Sequence, residues 1–340
     1  MAQARGSHLS FLRKGWNVDK RKIGSLEVSV VGLGTNNFGT DYFGTTCDQA
    51  MSTKIVDTAL ECGINFIDTA EEYSTTTHIG TGHSEEFLGV ALGSRRNEVV
   101  IASKFSPRVQ DAPDERGAKR IVRAVEGSLR RLRTDRIDLL QQHQPDPETP
   151  IEEILEALTR LVKDGKVREV GCSNFTAEMI DAAEAASAAS GSARFVSVQN
   201  PYNLLDQAPQ QPVLEACQRD GLMLLPCFPL ASGVLTGKYR RGEPAPAETR
   251  FGADTWVVNY LKPQLADERL ARAEQLEAYA RGRGHSLLDL AMSWLACQPL
   301  VASVIAGATR PEQVRANVAA AGWTLSDEDF GAVAGSGVTP

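Results

Sequence analysis

The sequence predicts an α/β fold, a single (β/α)8 TIM barrel with extra loops at the C-terminal face of the barrel. Eight short apolar runs alternate with helical patterns of about ten to fifteen residues, which implies βαβ units and a parallel sheet. No Gly-x-Gly-x-x-Gly follows the first run, so a closed barrel fits better than a doubly wound open sheet. Three consecutive runs also end in ionisable residues, and the carboxyl edge of a parallel sheet is where such folds place their chemistry.

Strands are expected at residues 28–33, 65–68, 99–103, 137–142, 167–172, 195–199, 222–227 and 301–306, each a short and mainly apolar run. Between them, residues 48–62, 84–92, 119–132, 151–163, 177–189 and 211–220 carry helical patterns. A longer pattern over 266–297 is broken at Arg281-Gly-Arg-Gly-His285, where one helix stops and Ser286 caps the next. A last helix, 311–321, follows the eighth strand. The link from 229 to 263 is rich in Gly, Pro and Arg and follows the seventh strand, on the expected active face; loops of that length are usually functional. Residues 1–20 lack periodicity and are read as a flexible N-terminal extension, leaving 21–340 as one barrel domain.

The 340-residue chain is 42% hydrophobic, enough for a large core. Its 36 basic and 43 acidic residues leave a net charge of −7, a solvated and mildly acidic surface that argues against nucleic acid as a partner. No run approaches the ~18 apolar residues of a membrane span and no signal-peptide core is evident, so a soluble, cytoplasmic protein without a membrane partner is expected. The six cysteines (Cys47, Cys62, Cys172, Cys217, Cys227, Cys297) form no Cys-x-x-Cys pair, and reduced, mostly buried thiols are expected. His78 and His83 stand in a Gly/Thr loop without a carboxylate cluster, so no metal is expected. Oligomeric state is left open.

The chemistry lies in four residues. Asp68 ends the second run and Tyr73 follows five residues later; Lys104 and His143 come just past the third and fourth runs. Singly, each has a plain structural role: a strand-end cap, a packing aromatic, a surface charge, a backbone-bonded loop histidine. Together they place four proton-handling side chains on one barrel face. A free phenol has a pKa of ~10; a nearby ammonium lowers it, and a carboxylate keeps that ammonium charged and aimed. Such a phenol can protonate a carbonyl oxygen as hydride reaches carbon, with the histidine polarising the carbonyl. Lys104 also admits a Schiff-base aldolase reading.

The chain resembles the aldo-keto reductases over nearly all of residues 22–330. The matching motifs are Gly63-Ile-Asn-Phe-Ile-Asp-Thr-Ala-Glu-Glu-Tyr73, Gly82-His-Ser-Glu-Glu-Phe-Leu-Gly-Val-Ala-Leu92, Gly165-Lys-Val-Arg-Glu-Val-Gly-Cys-Ser-Asn-Phe175 and Pro229-Leu-Ala-Ser-Gly-Val-Leu-Thr-Gly-Lys-Tyr239. The resemblance implies a barrel that binds NADPH across its C-terminal face and reduces a small-molecule aldehyde or ketone. It carries the family's tetrad onto Asp68, Tyr73, Lys104 and His143. Ser173, Asn174 and Gln199 match the nicotinamide carboxamide contacts, with helix capping as the plain alternative for Asn174. Leu230, Ser232, Gly233 and Lys238 match the pyrophosphate loop, and Gly307, Thr309, Arg310, Gln313 and Asn317 the 2′-phosphate and adenine end. Arg250 is a further candidate there, and Gly34, Thr35, Asn36, Cys227, Phe228 and Pro229 complete the expected cofactor positions.

The chain departs from the family pattern in three places. Cys227 stands where an aromatic usually stacks under the nicotinamide, with Phe228 beside it. Ala316 replaces a common glutamate, and the loop after Tyr73 is long and hydroxyl-rich. The expected substrate pocket draws on Phe38, Phe105, Tyr202 and Trp256, with Asn36, Tyr42, Phe43 and Tyr73, and suits a polar, sugar-like carbonyl compound. Some barrels of this family serve instead as redox-sensing β subunits of potassium channels, and that alternative also stands.

Overall fold

A computed structural model describes residues 18–39, 47–73, 82–107 and 115–334. An antiparallel hairpin of β1 (Lys20–Ile23) and β2 (Leu26–Ser29) comes first. Eight parallel strands follow: β3 (Val31–Gly34), β4 (Phe66–Asp68), β5 (Val100–Phe105), β6 (Ile137–Gln142), β7 (Val167–Ser173), β8 (Phe195–Gln199), β9 (Met223–Leu224) and β10 (Val304–Gly307). They lie side by side in chain order, and β10 returns beside β3. Closure falls between β9 and the approach to β10. Leu224 N–H donates to Leu300 O at 2.8 Å, Ala302 N–H to Leu224 O at 2.9 Å and Ile305 N–H to Pro226 O at 3.2 Å, so the sheet curls shut into the predicted barrel.

The first expected strand, 28–33, divides in two. Val30 N–H donates to Asp19 O, and Ser29 Oγ donates to Val31 O, so the chain turns within what reads in sequence as one apolar run. Ile23, Leu26 and Val28 of the hairpin then pack with Phe66, Val100, Leu139 and Ala302 from the starts of the strands and the approach to β10, sealing that end of the barrel. Arg21 anchors the hairpin by donating to the carbonyls of Ala296, Gln298 and Val301. The seventh expected strand is shorter than predicted because Pro226 has no N–H and interrupts the ladder.

Helices cover the outside. They are α1 (Gln49–Glu61), α2 (His83–Leu92), α3 (Gly117–Leu132), α4 (Ile151–Lys163), α5 (Ala177–Ser190), α6 (Gln211–Asp220), α7 (Trp256–Leu261), α8 (Asp267–Gly282), α9 (Leu287–Ala296), α10 (Pro311–Ala320) and α11 (Asp327–Val333). Helix α4 buries Ile154, Leu155, Leu158 and Leu161, the spacing of one helical face toward the sheet. The break before α9 is where the sequence places it: the Ser286 side chain accepts from Asp289 N–H and Asp289 bonds back to Ser286 N–H. The same box at Ser326 and Asp329 starts α11, which the apolar periodicity does not reveal. No described helix is long and apolar enough to cross a membrane.

Arg21→Ala removes three bonds from a charged donor to backbone carbonyls. It should destabilise the fold by about 1.5–3 kcal/mol, seen as a lower urea midpoint by circular dichroism. An unchanged midpoint would mean that the hairpin docks through its apolar face alone.

Candidate active site

Strands β4, β5, β6 and β8 bring Asp68, Lys104, Gln141 and Gln199 to the carboxyl-end mouth of the barrel. Lys104 Nζ donates to Asp68 Oδ1 at 2.8 Å and Oδ2 at 2.7 Å, and also lies 3.0 Å from Thr69 O and 3.1 Å from the Tyr73 hydroxyl. Gln199 Nε2 donates to Asp68 Oδ1 at 2.8 Å. Both charges are almost wholly buried, with Lys104 1% and Asp68 2% exposed. A buried ammonium without a partner would lose its proton. Burial does act to lower Lys104, but the charge of Asp68 and the bonds to Asp68 and Tyr73 outweigh it and lift the ammonium above the ordinary lysine value.

Tyr73 behaves differently from the expectation that its ammonium neighbour lowers it. Burial is the larger effect and pushes the phenol up to about 12, with Lys104 pulling against it and Asp68 adding to the rise. The phenol therefore keeps its proton at neutral pH. His143 follows β6, its N–H donating to Phe105 O at 2.9 Å and its carbonyl accepting from Asn174 Nδ2 at 2.9 Å. Its ring meets Tyr73 edge-on, centroids 5.8 Å apart. Glu71 fixes the turn before Tyr73 by accepting from Ser106 N–H at 2.6 Å and pairing with buried Arg120.

Asn174 takes the left-handed conformation at φ +61°, rare for a residue other than glycine. The helix after it is capped by Thr176, whose side chain accepts from Met179 N–H, so capping is not the role of Asn174. Ser173 Oγ donates to Gln199 O at 2.7 Å, which holds the ends of β7 and β8 together.

From this cluster a cleft of 750 Å³ extends across the mouth. Gly34, Asn36, Asp68, Tyr73, His143, Ser173, Asn174 and Gln199 line it, as do Cys227, Phe228, Pro229, Leu230, Ser232, Gly233, Lys238, Arg250, Gly307, Thr309, Arg310, Gln313 and Asn317. Burial, and then the charges of Arg250 and Arg310, hold Lys238 below the ordinary lysine value. Arg250 is pushed down to about 10 by burial. This part of the cleft is thus shaped for an anion.

Residues 30–336 match the Aldo/keto reductase family. The chain belongs to that family of oxidoreductases. It is 36% identical over 312 residues to aldo-keto reductase YhdN of Bacillus subtilis (strain 168), covering 89% of this chain and 88% of that protein. It is 34% identical over 284 residues to a probable voltage-gated potassium channel subunit beta of Oryza sativa subsp. japonica, covering 82% of this chain and 84% of the relative. Among solved structures, glycerol dehydrogenase AKR11B4 from Gluconobacter oxydans superposes with a TM-score of 0.75 at 32% identity, covering 93% of this chain and 94% of that one.

Several expected positions in this aldo/keto reductase lie elsewhere. Thr35 is fully buried and faces away from the cleft; its Oγ1 donates to Asp68 O at 3.0 Å and lies 2.7 Å from Ser84 Oγ, so it holds the strand that carries Asp68. Phe38 and Phe105 are core residues and are not among the described residues that line the cleft. Tyr202 is buried against Trp294, with its hydroxyl 3.1 Å from Gln298 Oε1, and Trp256 is 62% exposed on α7 and does not line the cleft. These aromatics were expected to line the substrate pocket, whereas Phe38, Phe105 and Tyr202 bury their apolar area in the core. Tyr42, Phe43 and His78 fall outside the described residues. Asn37, Gln144, Thr236, Glu248 and Thr249 line the cleft without having been anticipated; Gln144, directly after His143, is the one the sequence could have suggested.

Cys227 and Phe228 both reach the cleft. Burial pushes the Cys227 thiol up to about 12, with Lys104 opposing and Asp68 assisting, so it is a neutral, weakly nucleophilic wall. The Lys104 ammonium is the reverse of what a Schiff-base lysine needs, because it is held charged. Lys104→Met should leave Asp68 as an uncompensated buried charge and cost about 3–5 kcal/mol of stability. Adding Asp68→Asn should recover part of that loss in thermal unfolding, and no recovery would mean that the pair is not the source of the cost.

Proposed function

We propose that this protein reduces an aldehyde or ketone to an alcohol with NADPH, using Tyr73 as the general acid. One observation carries the reading: a phenol held neutral lies 3.1 Å from an ammonium held charged, in the same cleft as three cations. The residues suit NADPH, since Lys238 lies close enough to Arg250 and Arg310 for their charges to add to burial in holding it below the ordinary lysine value, and a 2′-phosphate would relieve that crowding. When bound, that cofactor supplies the hydride. Tyr73 gives its proton to the carbonyl oxygen, and the Lys104 ammonium stabilises the phenolate left behind. Asp68 keeps Lys104 charged, and Gln199 and Gln141 keep Asp68 in place. His143 holds the carbonyl oxygen toward Tyr73. Ser173 and Asn174 offer hydroxyl and amide groups to a carboxamide.

Polar residues in the cleft lining, Asn36, Asn37 and Gln144, favour a polar carbonyl compound. A second reading, a cofactor-binding subunit with slight turnover, is favoured by the relatives described as channel subunits. Turnover on a panel of small aldehydes separates the two.

Tyr73→Phe keeps the ring but removes the transferable proton, so carbonyl reduction should fall roughly 10²–10⁴-fold while NADPH still binds. Near-normal turnover by the purified variant would sink the assignment. Arg310→Ala should weaken NADPH by about tenfold or more, the worth of one charge-assisted bond to phosphate, and spare NADH. Equal losses for both in a fluorescence titration would refute the 2′-phosphate site.

A further inference from the structure

The residue before Tyr73 is an acid, and its carboxylate faces the histidine. Glu72 Oε2 lies 3.1 Å from His143 Nδ1, the two side chains being 23% and 14% exposed. Burial acts to raise the Glu72 carboxyl, but the close contact with His143, with Ser106 and Arg120 contributing, holds it below the ordinary carboxylate range. Glu72 is therefore ionised at neutral pH. Among the described residues no other group serves buried Nδ1, and the contact has the distance of an ion pair without the alignment of a full hydrogen bond. A carboxylate only accepts, so the ring nitrogen facing it carries a proton. Nε2 is left for the cleft that His143 lines.

A neutral ring protonated at Nδ1 presents a lone pair at Nε2. That lone pair accepts from an alcohol and cannot polarise a carbonyl. With Nδ1 protonated, Nε2 donates only when the ring takes up a second proton, and Glu72 is the counter-ion that would balance it. Backbone contacts already pin the residue, through Phe105 O and Asn174 Nδ2, so what remains for Glu72 is the ring's proton. We propose that Glu72 is a positioning residue that fixes the Nδ1-protonated form of His143, so that its cleft-facing nitrogen accepts from an alcohol and, on taking up a second proton, donates to a carbonyl. The proposal rests on the carbonyl-reduction reading.

The test is ¹⁵N NMR of histidine-labelled protein, with the His143 signals assigned by their loss in His143→Ala. Nδ1 of His143 should be protonated at neutral pH in the parent. In Glu72→Gln that proton should redistribute toward Nε2, and kcat for carbonyl reduction should fall about tenfold, a charged donor being roughly twice as strong as a neutral one. KM and NADPH affinity should stay within about twofold, a split that general loosening of the site would not give. An unprotonated Nδ1 in the parent, or an unchanged kcat in Glu72→Gln, would overturn the proposal. A parent that reduces no carbonyl would count against the proposed function instead, and its NMR signal would still decide whether Glu72 governs the ring. If Glu72→Gln does not fold, the same parent signal is decisive.

Discussion

The buried pair of Lys104 and Asp68 is the constraint on which the site depends. Two opposite charges, each at most 2% exposed, are tolerable in a barrel interior only when their geometry is close and their remaining bonding capacity is filled. The barrel supplies this by closure. Asp68 comes from β4, Lys104 from β5, Gln141 from β6 and Gln199 from β8, and these converge only because the sheet has curled far enough to face its own strands. Thr35, just past the neighbouring strand β3, bonds the Asp68 carbonyl, so even the backbone beneath the carboxylate is held. An open sheet with the same sequence motifs would separate these groups and leave the charges unpaired.

The competition at Tyr73 follows from the same burial. Desolvation disfavours the phenolate and the ammonium favours it, and desolvation is the stronger, giving about 12 rather than a value under the free phenol's ~10. The sign matters for the proposed chemistry. An acid that already lost its proton at neutral pH would have nothing to give, whereas this phenol is fully protonated before reaction. Under the proposed mechanism the ammonium then acts where charge develops, stabilising the phenolate only as the proton leaves.

What the sequence made legible was local. Strands ending in Asp68, Lys104 and His143 could be read from short apolar runs meeting ionisable residues, and the Ser286 cap from a glycine-rich break. The closing contacts of Leu224 with Leu300 and Ala302 join segments far apart in the chain and leave no local signature. The hairpin was hidden because Val28, Val30 and Val31, interrupted only by Ser29, read as one apolar run while the backbone turns within it. Phe38, Phe105 and Tyr202 were misplaced because periodicity tells apolar from polar, not which apolar side faces the cleft and which the core. Glu72 was legible as a residue but not as a partner, since its contact with His143 depends on how the turn before Tyr73 is fixed by Glu71 and Arg120.

Strain is concentrated beside the cleft. Phe228, Ala231 and Ser232 are all left-handed, at φ +53°, +46° and +58°, and each such residue costs roughly 1–3 kcal/mol where no glycine relieves it. The surroundings hold them there: Asn203 Nδ2 donates to Phe228 O at 3.1 Å, Ala231 N–H to the same oxygen at 3.0 Å, and Ala231, Val234 and Leu235 are buried. Gly233, at φ +100°, completes the turn, and a Cβ there would stand 3.1 Å from the Lys238 ammonium. The packed side of this loop thus offsets the strain of the side that faces the cleft, where Ser232, Gly233 and Lys238 lie together. These strained residues gain the chain nothing in stability, and under the proposed function the shape they give the cleft is what a bound cofactor would meet.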